Sequence, residues 1–307
     1  MEKNIDRLIA QVTKDIDFTG TISSLDNVKK TNVIPFGIKT VDNITGIGGI
    51  ARGRVTEVYG KESAGKTSLC LKLVSEAQKM GIKCAYIDVE LAVDKTLAEM
   101  MGVDTNALIL ARPVTGEETF ELIESFSDAD CGLIVVDSVA SMAPSSELEN
   151  DYDKDTMALQ ARMMSKGLRK VIGTILKNDT ALVFINQMRG TIAKMPGQPT
   201  TTTSGGLALK FYANHRISII RTGWIGTKEN AEGMTVKVFV EKNKLARPNL
   251  ATEISFVYGK GWDIEEDLFN FYLQSGRITR TGNTYYDNDT KIGDKKETIA
   301  YVKNMSS

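Results

Sequence analysis

Residues 60–67 read Gly-Lys-Glu-Ser-Ala-Gly-Lys-Thr, a complete G-x-x-x-x-G-K-[ST] phosphate-binding loop. The run 54–59 before it alternates apolar and polar residues as a strand does, and apolar residues after Lys66 fall at helical spacing. A loop between a strand and a helix points backbone N–H groups at a bound anion. Lys66 would reach the β- and γ-phosphates of a nucleoside triphosphate, and the Thr67 hydroxyl would hold Mg²⁺. The predicted nucleotide-binding residues are Gly60, Lys61, Glu62, Ser63, Ala64, Gly65, Lys66, Thr67 and Ser68.

Carboxylates follow two of the apolar runs that read as buried strands. The run 133–136 leads into Asp137, which would orient Mg²⁺ or its water as a Walker B residue does. The run 85–87 delivers Asp88 and Glu90 to the same edge of the predicted sheet. Hydrolysis needs a carboxylate that aims the attacking water, and Glu90 is the candidate. Strand alternation places Asp88 on the same face, so spacing alone leaves both open.

A strand-like run at 182–185 ends in Asn186 and Gln187 and opens a long loop, residues 188–206. An amide at a strand tip beside the γ-phosphate can sense that phosphate and pull on the loop. Some 19 residues without secondary structure are unusual inside a domain, and such loops are often functional. Its hydroxyls, glycines and basic residues suit phosphodiester contacts; a plain surface loop is the alternative.

Charge is distributed unevenly along the chain, although the formal net charge is only −1. No Asp or Glu occurs from Thr180 through Lys228, whereas residues 147–155 carry an acidic cluster. The predicted helix 156–177 has an apolar stripe opposite a basic stripe of Arg162, Lys166, Arg169 and Lys170. A long basic segment suits a polyanion, with a solvated face as the alternative.

Composition indicates a globular protein of 307 residues. No apolar run approaches the roughly 18 residues of a membrane span, and Met1-Glu2-Lys3-Asn4 opens no signal peptide. The scattered cysteines (Cys70, Cys84, Cys131) indicate reduced, buried thiols and a cytoplasmic location. The lone His215, in a strand-like run, is expected to be structural.

Alternating strands and helices predict an α/β fold with a mainly parallel, helix-covered sheet. The expected strands are 54–60, 82–88, 107–111, 132–138 and 180–186, and the expected helices are 66–80, 94–101, 116–128 and 156–177. Later strands near 213–222, 234–241 and 252–258 lack long helices between them and should extend the sheet antiparallel. We expect an N-terminal helix and strand in 1–30, a core in 31–262 and a small α/β domain in 263–307, with helices 264–275 and 294–304 around a hairpin at 281–283.

Several runs beyond the phosphate loop resemble the RecA family of homologous recombinases. They are residues 59–69 (YGKESAGKTSL), 85–94 (AYIDVELAVD), 136–140 (VDSVA), 161–165 (ARMMS), 184–189 (FINQMR), 201–211 (TTTSGGLALKF) and 242–244 (KNK). The resemblance implies a RecA-like P-loop ATPase core and an N-terminal segment that serves polymerisation. It also implies a DNA-dependent ATPase, using ATP and Mg²⁺, that forms helical filaments on single-stranded DNA and catalyses strand exchange. The compact chain and its lack of an acidic tail resemble phage-encoded members.

The resemblance also assigns roles around the nucleotide. Glu90 matches the water-activating glutamate, and Gln187 matches the γ-phosphate-sensing glutamine. Lys242 and Lys244 match lysines that reach into the ATP site of the neighbouring protomer. Asp94 matches an adenine-contacting aspartate, while Tyr258 and Gly259 match positions near the base. Leu97 stands where an aromatic often stacks on adenine, which predicts looser base selectivity.

Segments 147–156 and 188–206 match the two DNA-binding loops of that family. Met157 and Ile192 are at positions expected to wedge between base triplets, and Lys194 adds charge to the second loop. Positions that match backbone contacts are Arg162, Arg169, Arg189, Gly205 and Gly206. Phe211 matches an interface position linked to ATP sensing. Expected partners are single- and double-stranded DNA, further copies of the chain, and single-strand-binding and mediator proteins, with no membrane.

Two other functions are compatible with a phosphate loop in such a core. A ring-forming motor such as a replicative helicase would need a primase-binding or linker domain, which the sequence does not show. A regulatory module that binds ATP and polymerises without recombining DNA would lack stimulation of its ATPase by single-stranded DNA.

Overall fold

The computed structural model describes residues 2–15, 22, 30–148, 156–190 and 201–305. Contacts divide the chain into two units, residues 1–32 and 33–307. The described part of the first unit is mainly helix α1 (Glu2–Asp15), on which Ile5 and Leu8 are exposed. The helix expected within residues 1–30 is therefore observed from Glu2 to Asp15.

The second unit alternates strands with helices through its first half. Its strands are β1 (Val33–Ile34), β2 (Ile50–Ala51), β3 (Val55–Gly60), β4 (Cys84–Asp88), β5 (Leu108–Ala111), β6 (Leu133–Asp137), β7 (Ala181–Gly190), β8 (Thr201–Thr203), β9 (His215–Gly226), β10 (Ala231–Asn243), β11 (Leu250–Val257), β12 (Gly261–Trp262), β13 (Ile278–Thr281), β14 (Thr284–Asp287) and β15 (Thr290–Gly293). Its helices are α2 (Lys39–Ile44), α3 (Lys66–Lys79), α4 (Lys95–Met100), α5 (Gly116–Asp128), α6 (Ser145–Leu148), α7 (Thr156–Lys177), α8 (Ala208–Tyr212), α9 (Ile264–Gln274) and α10 (Lys295–Met305), with a 3₁₀ turn at Val139–Ser141.

A ten-stranded sheet organises this unit, in the order β12-β11-β10-β9-β3-β7-β6-β4-β5, with β8 paired to β7. The strands from β3 to β7, β6, β4 and β5 are parallel, which confirms the predicted core. The expectation for the later strands was partly wrong. β10, β11 and β12 are antiparallel, but β9 pairs with β3 in parallel. The chain between β7 and β9, which includes α8, returns to the end of the sheet at which β3 begins. Strand β9 therefore runs in the same direction as β3.

Helices cover both faces of the sheet, so its central strands are buried on both sides. One cluster of buried apolar side chains includes Leu69, Tyr86 and Val135, and a second includes Phe120, Ile134 and Phe184. β3 is buried at every position, including Glu57. The polar positions that alternate along this strand therefore face protein and need partners there.

Helix α7 has the two faces that its sequence predicts. Met164, Leu168, Val171 and Ile175 are buried, and Ala161 and Ile172 are half-buried. The four basic residues of the opposite stripe are exposed. Lys170 is paired with Glu124 at 2.6 Å, so part of the stripe's charge is balanced within the chain.

The segment 188–206, expected to lack secondary structure, is partly ordered as a two-stranded stem. Strand β7 continues to Gly190, and its residues 188–190 pair antiparallel with β8. Residues 191–200 lie outside the described part. The expectation was wrong for the ends of the loop, where threonine-rich 201–203 finds a ladder partner across the stem.

The C-terminal part, from α9 onward, forms a small module with its own core. The antiparallel strands β13, β14 and β15 and helices α9 and α10 pack around Phe269, Ile278 and Val302. Strand β15 was not anticipated. Asp267 of α9 accepts hydrogen bonds from the backbone N–H and the hydroxyl of Thr40, which ties α9 to α2. None of the described helices is long and apolar enough to cross a bilayer.

Candidate functional site

The phosphate loop is the turn 61–65 between the end of β3 and the start of α3. Gly65 has a φ of +94°, and an added Cβ there would lie 3.0 Å from the Trp262 ring, so the position requires glycine. Lys66 Nζ donates to the Lys61 carbonyl at 2.8 Å. Burial lowers the pKa of Lys66, while the carboxylates of Asp137, Glu90 and Glu62 oppose that shift. The loop thus holds a buried cation at the start of α3, where a helix leaves its first N–H groups without intrahelical partners, as an anion site requires.

A carboxylate and a hydroxyl meet beside this loop. Thr67 Oγ1 donates to Asp137 Oδ2 at 2.8 Å, and the Tyr86 hydroxyl donates to the same oxygen at 2.8 Å. Burial raises the pKa of Asp137, and these two hydrogen bonds act in the opposite direction. Within the described residues, no group of three or more His, Cys, Asp or Glu could hold a metal by itself. A hydroxyl with one carboxylate still fits Mg²⁺, because that ion is often held by few side chains together with substrate phosphates and water.

Glu90 and Gln187, from different strands, are in contact at the same edge. Gln187 Nε2 donates to Glu90 Oε1 at 3.2 Å. The backbone N–H of Glu90 donates to the carbonyl of Asp137 at 3.0 Å, which ties the turn after β4 to the end of β6. The charge of this carboxylate acts on Lys66, where it opposes the lowering of the lysine pKa by burial. The geometry therefore brings a carboxylate and an amide together next to the phosphate loop.

The structure separates Glu90 from Asp88, which strand alternation left equivalent. β4 ends at Asp88, so alternation does not extend to Glu90. Asp88 is fully buried, and its carboxylate accepts from the N–H groups of Ala92 at 3.0 Å and Val93 at 3.3 Å and pairs with Arg112. Its oxygens shape the turn that carries Glu90, whereas Glu90 itself is exposed.

Residues expected near the base lie on two segments, the turn between β11 and β12 and the start of α4. Tyr258 and Gly259 belong to the turn between β11 and β12, which leads into the Trp262 ring against Gly65. Asp94 caps α4, accepting from the Leu97 N–H at 2.9 Å. An added Cβ at Gly261 would meet Met101, the residue after α4, so turn and helix end are neighbours.

Lys242 and Lys244 make their contacts with helix α8. Lys242 Nζ donates to the carbonyls of Lys210 at 2.5 Å and Phe211 at 3.2 Å, and Lys244 Nζ donates to the latter at 3.1 Å. Burial lowers the pKa of Lys242, and the neighbouring charges of Lys244 and Arg216 add to that shift. The Phe211 ring is largely exposed, at 69%. Two cations and an exposed aromatic ring thus lie together at the surface.

The predicted DNA-contacting residues are only partly within the described chain. Arg162 and Arg169 are exposed on α7. Met157 lies in the first turn of α7 and Arg189 in the stem formed by β7, while Ile192 and Lys194 lie outside the described residues. The segment 147–156 is described only at its ends.

Gly205 and Gly206 end the long loop in positive-φ conformations, at +81° and +74°. An added Cβ would lie 2.8 Å from Val139 Cγ1 at the first and 2.9 Å from Ala161 Cβ at the second. Both positions therefore require glycine, and they press the end of the loop against the turn after β6 and against α7.

The RecA N-terminal domain family model matches residues 3–263. The RecA 2 protein of Myxococcus xanthus is 40% identical over 303 residues, covering 97% of this chain and 84% of that protein. The RecA protein of Deinococcus radiodurans is 41% identical over 305 residues, covering 98% and 84%. That of Thermus aquaticus is 39% identical over 307 residues, covering 98% and 90%.

The chain belongs to the RecA family.

RecA proteins are DNA-dependent ATPases that exchange strands in homologous recombination and repair, and this chain is an enzyme of that class. The predicted family, fold and activity are confirmed. The resemblance to phage-encoded members is not supported, because these matched RecA proteins are bacterial.

Sequence reasoning missed several side chains that shape this RecA site. Tyr86 supports Asp137, and Trp262 packs under the phosphate loop. Glu57 and Arg216 form a buried ion pair at 2.6 Å behind that loop. A glutamate in the strand before the loop was the available signal, because a carboxylate in a fully buried strand needs a partner.

Proposed function

We propose that this RecA-family chain assembles as a helical filament on single-stranded DNA and uses ATP and Mg²⁺ to drive homologous pairing and strand exchange. Residues 60–68 would bind the phosphates, and Asp94, Tyr258 and Gly259 would face the base. The catalytic residues would be Lys66, Glu90 and Gln187, completed by Lys242 and Lys244 of the neighbouring protomer. Residues 1–30 would serve polymerisation, 31–262 the ATPase and DNA contacts, and 263–307 would form a small additional domain.

The observation that carries this proposal is the hydrogen bond between Gln187 and Glu90. Glu90 is tied by its N–H to Asp137, whose carboxylate accepts from Thr67 at the phosphate loop, and Gln187 is the last residue before the long loop 188–206. A change in that loop therefore reaches the carboxylate through a single side chain. This arrangement supports ATP hydrolysis that responds to DNA held by the loop.

Each residue at the strand edge would have one task. Thr67 and Asp137 would hold Mg²⁺, which when bound neutralises phosphate charge and orients the γ-phosphate. Lys66 would exchange its bond with the Lys61 carbonyl for the phosphate oxygens. Glu90 would orient the attacking water and accept its proton, and Gln187 would read whether the γ-phosphate is present.

The neighbouring protomer would supply the remaining positive charge. A lysine ammonium and a phosphate oxygen with unit charges, about 4 Å apart at an effective dielectric constant near 20, attract each other by about 4 kcal/mol. Lys242 and Lys244 are at the surface beside exposed Phe211, where a second copy can reach them. Hydrolysis would then require assembly, and DNA would promote assembly.

DNA would contact the loops 147–156 and 188–206 and the basic face of α7. Met157 and Ile192 would wedge between bases, while Arg162, Arg169, Arg189, Lys194, Gly205 and Gly206 would contact the backbone. Both single- and double-stranded DNA would be partners, with single-strand-binding and mediator proteins acting on the same filament. Because the substrate is cellular DNA, we place the protein in the cytoplasm.

The test is the steady-state ATPase rate with and without single-stranded DNA, over a dilution series of protein. We expect DNA to stimulate the rate, and the DNA-free rate per protomer to fall on dilution. Electron microscopy with a non-hydrolysable ATP analogue should show helical filaments on the DNA. An ATPase rate that does not change with DNA, and that is the same per protomer in dilute monomer, would favour the polymerising regulatory module and contradict the proposed recombinase mechanism.

A further inference from the structure

Glu57 is a fully buried carboxylate in β3, three residues before Gly60, at which this strand ends and after which the phosphate loop begins. Its two oxygens have different partners. Asn186 Nδ2 donates to Oε1 at 2.9 Å, and Arg216 Nε donates to Oε2 at 2.6 Å. The three side chains come from the adjacent strands β7, β3 and β9. A buried carboxylate with two dedicated donors holds both in place, because losing either leaves charge uncompensated.

On one side, this cluster holds both ends of the loop 188–206. Asn186 Nδ2 also donates to the Ser204 carbonyl at 3.0 Å, near the end of the loop. Its Oδ1 accepts from the Gln187 N–H at 2.9 Å, just before the loop begins. Asn186 is fully buried and uses its whole amide in these bonds. A change in the separation of the two loop ends therefore moves Asn186 and alters its hydrogen bond with Glu57.

On the other side, the cluster reaches Glu241 and Lys242. Arg216 Nη1 donates to Glu241 Oε2, and the Tyr59 hydroxyl donates to the same oxygen at 2.6 Å. The ladder between β9 and β10 shifts register between Val240 and Lys242, and Lys242 pairs with Arg216. Such a bulge places two consecutive residues opposite one. Both Glu241 and Lys242 thus lie beside Arg216.

Lys242 links this cluster to helix α8, because its ammonium group donates to the carbonyls of Lys210 and Phe211 in that helix. That helix follows the loop directly, after Gly205 and Gly206. The chain of contacts therefore runs from the loop ends through Asn186, Glu57 and Arg216 to Lys242 and back to the helix after the loop. Every described link is a hydrogen bond, an ion pair or a strand pairing.

We propose that Glu57 and Arg216 are positioning residues that couple the state of the loop 188–206 to the placement of Lys242. The inference rests on the proposed function, in which that lysine completes the ATP site of a neighbouring protomer. The guanidinium fork contacts Glu57 and Glu241 together, which a lysine ammonium on a flexible stem cannot reproduce. DNA that rearranges the loop ends would shift Asn186, and the shared carboxylate would pass the shift to Arg216 and to the bulge.

The test compares Arg216→Lys with the parent protein. The measurements are kcat with and without saturating single-stranded DNA, KM for ATP, and Kd for a fluorescent oligonucleotide. We expect the DNA stimulation ratio to fall about tenfold, within the roughly 5- to 150-fold range of coupling between sites. The DNA-free kcat, the KM and the Kd should change less than about twofold on the same scale. Arg52→Lys is the matched control, because Arg52 also binds a carboxylate, Asp179 at 3.2 Å, away from the phosphate loop.

Two further variants keep the test decisive if Arg216→Lys fails to fold. Glu57→Gln keeps the shape but places an amide donor against Asn186 or Arg216; exposed Glu253→Gln on β11 is its control. Glu241→Gln changes a side chain that is 43% exposed, so folding should survive and the ratio should fall by a smaller factor. An unchanged ratio in a folded variant overturns the proposal, as does an equal loss of the DNA-free and DNA-saturated rates. A parent protein without DNA stimulation instead contradicts the proposed function itself.

Discussion

Glu90→Gln is the substitution that tests the proposed chemistry most directly. In the folded protein, Glu90 is exposed and accepts a hydrogen bond from Gln187 Nε2 at 3.2 Å. A glutamine at position 90 can turn its carbonyl oxygen toward the same donor, so this contact survives. Exposed substitutions of this kind change stability by about 0.5 kcal/mol or less. What is lost is the group that accepts a proton from water.

Removing a general base lowers turnover by roughly 10² to 10⁴. At about 1.36 kcal/mol per decade, this is a rise of about 3 to 5 kcal/mol in the activation barrier. Lys66, Thr67 and Asp137 are unchanged, so ATP binding should be retained. The variant should therefore hold ATP without hydrolysing it and remain on DNA.

The assay measures phosphate release at saturating ATP and single-stranded DNA, together with fluorescence anisotropy of a labelled oligonucleotide. We expect kcat to fall at least a hundredfold while ATP-dependent DNA binding persists. Glu99→Gln on α4 removes another exposed carboxylate and should leave kcat within about twofold of the parent, as a surface change does. Turnover near that of the parent in Glu90→Gln would assign the base to another residue and refute the reasoning.

Three further predictions concern the phosphate loop, the subunit contact and a buried carboxylate. Lys66→Ala should abolish ATP-stimulated DNA binding in the anisotropy assay; retained stimulation would contradict the loop assignment. Mixing equal amounts of Lys242→Ala and Glu90→Gln should restore about a quarter of the parent ATPase rate. When neighbours associate at random, about one contact in four joins an intact Glu90 to an intact Lys242. No recovery would mean that Lys242 does not act across the contact. Burial raises the pKa of Asp42 from 3.8 to about 7, opposed by N–H bonds from residues 36 and 37. A group whose pKa is raised in the folded state stabilises the folded protein at a pH below its unfolded-state pKa, and that stabilisation is lost as the pH rises through 7. Between pH 4 and pH 8, the unfolding free energy of the parent should therefore fall by roughly 4 kcal/mol relative to that of Asp42→Asn, measured by denaturant titration. Parallel pH curves for the two proteins would contradict this shift.

Local features of the fold could be predicted well because neighbouring residues carry the signal. The predicted strands and helices from residue 54 through helix α7 begin and end within two residues of those observed. The spacing of apolar residues and the turn residues act over a few positions, so both can be recognised without knowledge of the rest of the chain. The short strand β15 and the stem at 188–190 were missed because each depends on a pairing partner rather than on its own pattern.

The direction of β9 and the paired ends of the long loop show what periodicity cannot supply. A strand has the same alternation whether its neighbour is parallel or antiparallel. The direction follows from where the preceding segment re-enters the sheet, which here involves α8. Likewise, Asp88 and Glu90 differ by two positions, yet one is buried among backbone donors and the other is exposed.

By itself, the sequence determined that this chain has a phosphate-loop motif between a strand and a helix, an aspartate at the end of a buried strand and a helix-covered parallel sheet. Those features are contiguous, and their physics is local. Only the tertiary structure decided that Gln187 touches Glu90 and that Glu57 joins Asn186 to Arg216. Such contacts depend on strand order, register and a bulge, which long-range packing sets across residues far apart in the chain.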